Sequence, residues 1–194
     1  MNWRRPWADM MMNSETLSEA KGRLVFRRHL SSPPKTVWRF LVEDKKRGEW
    51  LCRGLVEPHA GGRIEFKFDP EEFGQSRPPD KSPTAYTAEF EGQVVTYDPD
   101  HKLAFTWPSA GDLEDSLITI TLMPKGDGTD LELIHERVVR ESDLIGSAAG
   151  WHTHLELLEC RLSRQMAPNF FTRHDELEAE YEARLKSLRS ERDT

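Results

Sequence analysis

The chain has 194 residues, enough for one domain with a substantial core and a short extension at either end. Its 34 acidic residues outnumber the 27 basic ones and give a formal net charge of -7, which argues against a surface that binds nucleic acid or an anionic membrane. No stretch approaches the roughly 20 apolar residues of a membrane span. The two cysteines, Cys52 and Cys160, are expected to be reduced thiols, so we expect a cytoplasmic protein.

Residues 1–20 show no periodicity of apolar residues and are predicted to form a flexible tail. Trp3 and Trp7 are unusual in such a segment. Either they dock in a groove on this chain or on a neighbour, or they belong to a loose extension, and the sequence leaves both interpretations open. The folded domain is expected to occupy residues 21–167, and a helical extension is expected over residues 168–194.

The domain begins with a predicted strand over residues 23–30, where apolar and polar side chains alternate as in a half-buried strand. Its inward side chains are Leu24, Phe26 and Leu30. The segment Ser31-Ser32-Pro33-Pro34 then provides a serine cap and prolines for the first turn of a short helix that stops before Arg47. A second short turn is expected to deliver Trp50 and Leu51 inward.

Five further strands are predicted after the turn at Gly61-Gly62, because apolar and polar residues alternate in each of them. They cover Ile64–Phe68, Tyr86–Tyr97, Leu103–Trp107, Ile118–Leu122 and Leu131–His135. The alternation that points Leu131 and Leu133 at the core also points His135 there, which makes this histidine the first candidate for chemistry. The segment 69–83 is rich in proline and charge, and both a lid and a disordered insertion remain open for it.

A long helix is predicted over residues 146–166, because apolar residues recur there at steps of three or four. Its stripe consists of Trp151, Leu155, Leu158, Leu162 and Met166. A second helix is predicted over residues 175–189, with Leu177, Tyr181, Leu185 and Leu188 on one stripe. This second stripe is either a homodimer contact or the face of a helix folded back on its own domain, and both interpretations stay open.

Several short motifs follow one another in a characteristic order. They are Ser-Pro-Pro-x-x-Val-Trp at 32–38, Trp50-Leu51, Gly61-Gly62-Arg63, the run 94–98 followed by Leu103-x-Phe105-x-Trp107, Gly128-Thr129-x-Leu131-x-Leu133-x-His135, and Gly150-Trp151. This order resembles the bacterial proteins related to the C-terminal domain of the heat-shock-protein-90 ATPase activator, within the START-like, polyketide-cyclase-containing helix-grip superfamily. The resemblance covers about residues 22–166.

The resemblance implies an α+β helix-grip (START-like) fold: a curved antiparallel sheet of six to seven strands wrapped around a long C-terminal helix, with two short helices after the first strand. It also implies a pocket that in relatives holds a lipid, sterol, polyketide or other apolar small molecule. It does not imply co-chaperone work. The family has no fixed catalytic set, so no residue is assigned a catalytic role and no cofactor is expected.

Metal binding and covalent catalysis are disfavoured by residue spacing. The side chains of metal-binding types are His135, His152, His154 and Cys160. His152 and His154 are two residues apart, about 160° round a helix from one another, so no metal site is predicted. A Gly-x-Ser-x-Gly elbow is absent from the sequence. Proton transfer by His135 with Glu136 or Tyr86 remains an alternative, although strand parity places Glu136 on the opposite face.

The first functional hypothesis is a protein that binds a small apolar molecule, because six tryptophans and nine phenylalanines exceed what packing of this domain needs. Trp50 and the segment 69–83 would guard the entrance, and His135 and His154 would orient the ligand. A protein-interaction module acting through the tails and a cyclase- or aromatase-type enzyme are the alternatives. The predicted lining is Trp50, Phe66, Phe68, Phe90, Phe105, Trp107, Ile118, Ile120, Leu133, His135, Trp151, His154, Leu155 and Leu158.

Overall fold

The structure, a computed structural model, describes residues 14–18, 22–73, 76–78, 80, 82, 86–109 and 113–192. Its strands are β1 (Ser14–Ser18), β2 (Arg23–Leu30), β3 (Arg63–Phe68), β4 (Ala88–Asp98), β5 (Lys102–Trp107), β6 (Ser116–Lys125) and β7 (Gly128–Glu136). They form one antiparallel sheet in the order β1-β2-β7-β6-β5-β4-β3.

Four helices accompany the sheet: α1 (Pro34–Val42), α2 (Asp44–Arg47), α3 (Glu141–Ser163) and α4 (Phe170–Arg192). The buried face of α3 and the inward residues of the strands belong to one apolar core. The predicted α+β architecture, a sheet with a long helix packed on it, is confirmed. The two short helices follow the strand that is predicted to be the first, which is β2 because β1 precedes it. Among the described helices, none has both the length and the apolarity that a bilayer crossing requires.

The predicted alternation of inward side chains is confirmed in β6 and β7. Ile118 and Ile120 in β6 and Leu131, Leu133 and His135 in β7 are each at most 2% exposed. Their neighbours on the opposite face are only partly buried, as the period of two requires. His135 therefore lies inside the fold, as the alternation predicts.

The folded region begins earlier than predicted, because β1 lies within the segment that is predicted to be a tail. Its five polar-rich residues pair with β2 from Ser14 opposite Arg27 to Ser18 opposite Arg23. This edge strand is held by backbone pairing and by the carboxylate of Glu15. Its sequence therefore lacks the alternation of apolar residues from which a strand is predicted. Trp3 and Trp7 lie outside the described residues.

The described part of segment 69–83 contains a 3-10 helix over Pro70–Phe73. Phe73 is buried, and its ring centroid lies 5.5 Å from that of Phe170. The part of the segment around Phe73 is thus packed against the start of α4.

Strand β4 begins at Ala88, two residues later than predicted. Tyr86 adopts a left-handed φ of 64° there and donates a hydrogen bond to Asp175.

Helix α3 begins five residues earlier and ends three residues earlier than predicted. Arg164 closes it in a left-handed conformation with a φ of 56°, and its N–H reaches the carbonyls of Arg161 and Cys160. Met166 is 97% exposed, so its assignment to the inner stripe is wrong. The helix had already ended before the next turn could point this methionine inward.

Helix α4 folds back on α3. Its Leu177, Tyr181 and Leu185 are at most 3% exposed, whereas Leu188 is 39% exposed. The Tyr181 hydroxyl hydrogen-bonds Nδ1 of His152 at 2.9 Å, which ties the two helices together. The folded-back interpretation is confirmed, and the first three stripe residues are occupied within the chain instead of lying on a surface open to a second copy.

Candidate functional site

Small residues on α3 leave a space opposite aromatic rings of the sheet. Gly146, Ser147 and Gly150 line a cavity of about 250 Å³. A Cβ added to Gly146 or Gly150 would meet no atom within 4 Å outside its own helix, so both glycines face open space. The described residues that line it are Leu51, Phe68, Ala88, Phe90, Trp107, Gly146, Ser147, Gly150, Trp151 and His154. We call this space the apolar cavity.

The wall opposite the glycines is a continuous set of rings from three adjacent strands and α3. The Phe90 centroid lies 5.8 Å from that of Phe68 and 4.9 Å from that of Trp107. The Trp107 and Trp151 centroids are 5.5 Å apart. These separations are typical of favourable ring contacts, so the rings stabilise one another. On the side of the cavity the rings have no packing partner.

A second cavity, of about 350 Å³, lies beside the first and shares Trp107, Gly146 and Ser147 with it. Its lining carries many more polar groups, so we call it the polar cavity. Its lining among the described residues is Trp107, Pro108, Ser109, Leu113, Ser116, His135, Val138, Val139, Ser142, Asp143, Gly146 and Ser147.

The predicted lining residues divide into three groups. Phe68, Phe90, Trp107, Trp151 and His154 line the apolar cavity, and Trp107 and His135 line the polar one. Four others, Trp50, Phe66, Phe105 and Ile120, surround a gap of about 10 Å³, close to the volume of one water-sized probe. The remaining four, Ile118, Leu133, Leu155 and Leu158, are buried in the core and line none of these three spaces in the described part of the chain.

Trp50 does not guard an entrance. Its side chain is fully buried, and its Nε1 donates a hydrogen bond to the Phe40 carbonyl at 2.8 Å. The sequence also left Gly146 and Ser147 outside the predicted site. A signal for them existed, since Gly146 and Ser147 lie one helical turn before Gly150 on the predicted helix and all three side chains are too small to fill space.

We predict that Gly150→Ala raises the free energy of unfolding by about 0.5–1 kcal/mol. Glycine in a helix interior carries an entropic cost that alanine removes, and the new methyl group would enter open space. Chemical denaturation of both proteins measures the difference. A destabilised Gly150→Ala protein would show that this face of α3 is tightly packed, contrary to the cavity.

A hydrogen-bonded relay holds His135 at the base of the polar cavity. Trp151 Nε1 donates to His135 Nδ1 at 3.2 Å, and His135 Nε2 lies 2.8 Å from Ser116 Oγ. Because an indole N–H only donates, Nδ1 must be unprotonated and Nε2 must carry the proton. Ser116 then donates onward to the Trp107 carbonyl at 3.1 Å. Burial lowers the pKa of His135 to about 3, so the ring is neutral at pH 7.

This relay argues against His135 as a catalytic base. A histidine that activates a serine needs an unprotonated nitrogen facing the hydroxyl, but here the Trp151 donor fixes the opposite tautomer. Glu136 lies on the other face of β7 and pairs with Arg23 at 3.3 Å. Tyr86 donates to Asp175 on α4. Neither of the partners considered for proton transfer is placed beside His135, and the relay instead orients Trp151 in the wall.

His154 is the second neutral histidine. Its Nδ1 lies 2.6 Å from the Trp50 carbonyl, which only accepts, so Nδ1 carries the proton and Nε2 has a free lone pair. Burial lowers the pKa of His154 to about 4. Phe68 and Phe170 pack near the ring at centroid distances of 5.9 and 5.1 Å. His154 therefore gives the apolar cavity one hydrogen-bond acceptor in an otherwise largely apolar wall.

The histidines of α3 point to different neighbours. His152 contacts Tyr181 and lies 3.2 Å from Glu156, on the side of α4, whereas His154 contacts the Trp50 carbonyl. Within the described residues, one group of metal-ligating side chains has its candidate ligand atoms within 4.8 Å of one another, and it consists of His174, Asp175 and Glu178 on α4. That group was not predicted and lies outside both cavities.

Two arginines are buried that the sequence pattern did not predict to be inside the fold. Arg28 is 2% exposed, and its guanidinium nitrogens lie 2.6 Å from Glu15 and 2.9 Å from Glu159. Arg47 is 1% exposed and donates to four backbone carbonyls, those of Cys52, Arg53, Gly54 and Glu65. Burial lowers the pKa of Arg47. Both arginines fasten segments around the core, and neither lines the two large cavities.

A family model described as "Activator of Hsp90 ATPase homolog 1-like protein" matches residues 31–163. The match spans well over half of the chain and includes every described residue that lines the two cavities. The chain belongs to this family. Within the activator homologue-like family region lie the strands β3 to β7 and helices α1 to α3, whereas β1, β2 and α4 lie outside the matched residues. None of the curated proteins matches the chain.

Solved structures share the START-like fold with this family member. The protein encoded by gene BPP1335 of Bordetella parapertussis is 25% identical with a TM-score of 0.71, over 88% of this chain and 91% of that chain. CalU16 of Micromonospora echinospora is 20% identical with a TM-score of 0.60, over 83% and 86% of the two chains. Protein MLL2253 of Mesorhizobium loti is 25% identical with a TM-score of 0.60, over 74% and 98%. These similarities establish the fold class.

Proposed function

We propose that this protein binds a small apolar molecule of up to three rings in the apolar cavity. The observation that carries the proposal is the bare wall of aromatic rings facing Gly146 and Gly150 across about 250 Å³. Aromatic and aliphatic groups around an empty space lose dispersion contacts that a ligand restores. Ligand pockets commonly begin at about 300 Å³, and apolar cavities of about 150 Å³ bind benzene, so the volume favours a compact ligand.

The position of the cavity supports the same proposal. It lies between the sheet and α3, where relatives of this fold are expected to hold apolar molecules, but it occupies only one end of that interface. The other end, around Phe66, Phe105 and Ile120, is closely packed. The ligand would therefore contact Phe68, Phe90 and the N-terminal half of α3, and the polar anchor would be His154.

Gly150→Leu tests this proposal by filling the apolar cavity from the helix side. We expect the dissociation constant for the neutral fluorescent probe N-phenyl-1-naphthylamine to rise at least tenfold, because the leucine side chain would occupy the space of the probe. Probe fluorescence in a titration gives the constant, and circular dichroism checks that the variant is folded.

Ser163→Leu is the matched control, since it adds the same side chain at an exposed position near the end of α3. It should bind the probe like the wild type. Two outcomes would contradict the proposal: a wild-type protein without saturable probe binding, or a folded Gly150→Leu protein with the wild-type constant.

A further inference from the structure

We propose that the apolar and polar cavities form one site for an amphipathic molecule, with an aromatic or aliphatic body in the first and a neutral, hydroxyl-bearing end in the second. This inference rests on the proposed function and specifies its ligand class. The two spaces have Trp107, Gly146 and Ser147 in common, so they adjoin at these three residues of β5 and α3. A ligand that occupies both cavities would therefore contact Trp107 and Ser147 at the place where the cavities adjoin.

The chemistry of the two linings differs in the way that an amphipathic ligand requires. The apolar cavity offers His154 and Ser147 as its polar side chains. The polar cavity adds three further serines, the neutral His135 and the carboxylate of Asp143. A hydroxyl group both donates and accepts hydrogen bonds, so it suits serine hydroxyls and a carboxylate together.

Ser147 lies at the junction and lines both cavities. Its side chain is half-buried, and no described residue forms a hydrogen bond with its hydroxyl. Serine within a helix usually turns its hydroxyl to the carbonyl of the preceding turn, as Ser163 does with Glu159 at 2.7 Å. A serine that lines both cavities could give its hydroxyl to the head of an amphipathic ligand that spans them.

The charges of the polar cavity favour a neutral end over an anionic one. Lys and Arg are absent from its described lining, whereas Asp143 belongs to it. The two arginines near this cavity already have partners. Arg140 donates from Nε to Asp143 at 3.0 Å, and Arg137 donates to the Asp115 carbonyl at 3.0 Å. The N-terminus of α3 would attract an anion, but Glu141 and Asp143 already supply carboxylates in that first turn. An added carboxylate would therefore meet like charge.

Three naphthalene compounds with the same body test this inference: 2-ethylnaphthalene, 2-(2-naphthyl)ethanol and 2-naphthylacetate. Their dissociation constants follow from competition with N-phenyl-1-naphthylamine, and isothermal titration gives the stoichiometry. We expect one alcohol per chain, bound at least fivefold more tightly than the hydrocarbon and at least fivefold more tightly than the carboxylate. Ser147→Ala should remove most of the alcohol's advantage over the hydrocarbon.

Ser163→Ala is the matched control, because it removes a serine hydroxyl from the same helix outside both cavities. The inference is overturned if the wild type binds alcohol and hydrocarbon equally, if the carboxylate binds best, or if Ser147→Ala keeps the full advantage. In each of these cases hydrocarbon binding would still support the proposed function. Failure of all three compounds and of the fluorescent probe would instead remove the proposed function itself.

Discussion

Acidification from pH 7 to pH 4.5 is expected to lower the free energy of unfolding by about 5 kcal/mol, through His135 and His154. Burial lowers the pKa of these side chains to about 3 and about 4, respectively. In the unfolded chain each histidine titrates near its ordinary pKa of about 6.5. Below that pH the unfolded state binds two protons that the folded state does not bind. The contribution of the two histidines to the free energy of unfolding is therefore fully present above pH 6.5 and is lost as the pH falls toward their folded-state pKa values.

Urea unfolding at a series of pH values measures this effect. Between pH 6 and pH 4.5 each histidine should contribute a slope of about 1.4 kcal/mol per pH unit. His154→Gln should remove about half of the combined slope, because the glutamine amide can still donate to the Trp50 carbonyl but does not titrate. The same exchange at the exposed His101 controls for the substitution. An undiminished slope in His154→Gln would contradict the assignment.

Arg28→Met is expected to lower the free energy of unfolding by about 3 kcal/mol at pH 7. The guanidinium is buried between the carboxylates of Glu15 on β1 and Glu159 on α3. Methionine fills a similar volume but leaves two carboxylates facing one another without a cation. The cost should lie at the low end of the range for broken buried ion pairs, because both carboxylates retain partial contact with solvent, at 22% and 29% exposure.

Two further variants separate charge from packing at this site. Adding Glu15→Gln and Glu159→Gln to Arg28→Met should recover at least half of the loss, since no uncompensated charge remains. Arg27→Met is the matched control on the opposite face of β2, where the pair with Glu132 at 2.6 Å is partly exposed and should be worth at most about 1 kcal/mol. Equal losses for Arg27→Met and Arg28→Met in urea unfolding would refute a buried charge cluster.

The pH dependence of Arg28→Met offers an independent check on the same cluster. Burial raises the pKa of Glu159, an effect that Arg28 partly offsets. Without Arg28 the carboxyl should take up a proton at a still higher pH in the folded state. The gap in stability between the variant and the wild type should therefore narrow as the pH falls toward 4.

The strands could be predicted because a half-buried sheet imposes a period of two on the sequence. The same period also points Arg28 inward, on the face of Leu24, Phe26 and Leu30, although an arginine there is not expected from its hydrophobicity alone. Its burial depends on Glu15 and Glu159, which are far away in sequence. Strand β1 was not predicted for a related reason. It is held by backbone pairing with β2 and by the ion pair between Glu15 and Arg28, and neither leaves an apolar pattern in its sequence.

The cavity could be placed between the sheet and the long helix, but its extent could not. Phe66 and Phe90 have the same strand parity, yet Phe66 closes the packed end while Phe90 lines the open one. The difference comes from what faces each ring across the interface. Gly146 and Gly150 leave room opposite Phe90, and only the docking of α3 on the sheet decides which strand residues those glycines oppose.

A crystal structure of the protein grown with N-phenyl-1-naphthylamine is the most direct measurement of the central claim. We expect density for the naphthyl ring between Phe90 and Gly150, in contact with Trp107 and within reach of His154. A saturated protein whose probe lies elsewhere, or a structure in which side chains fill the space beside Gly150, would contradict the claim.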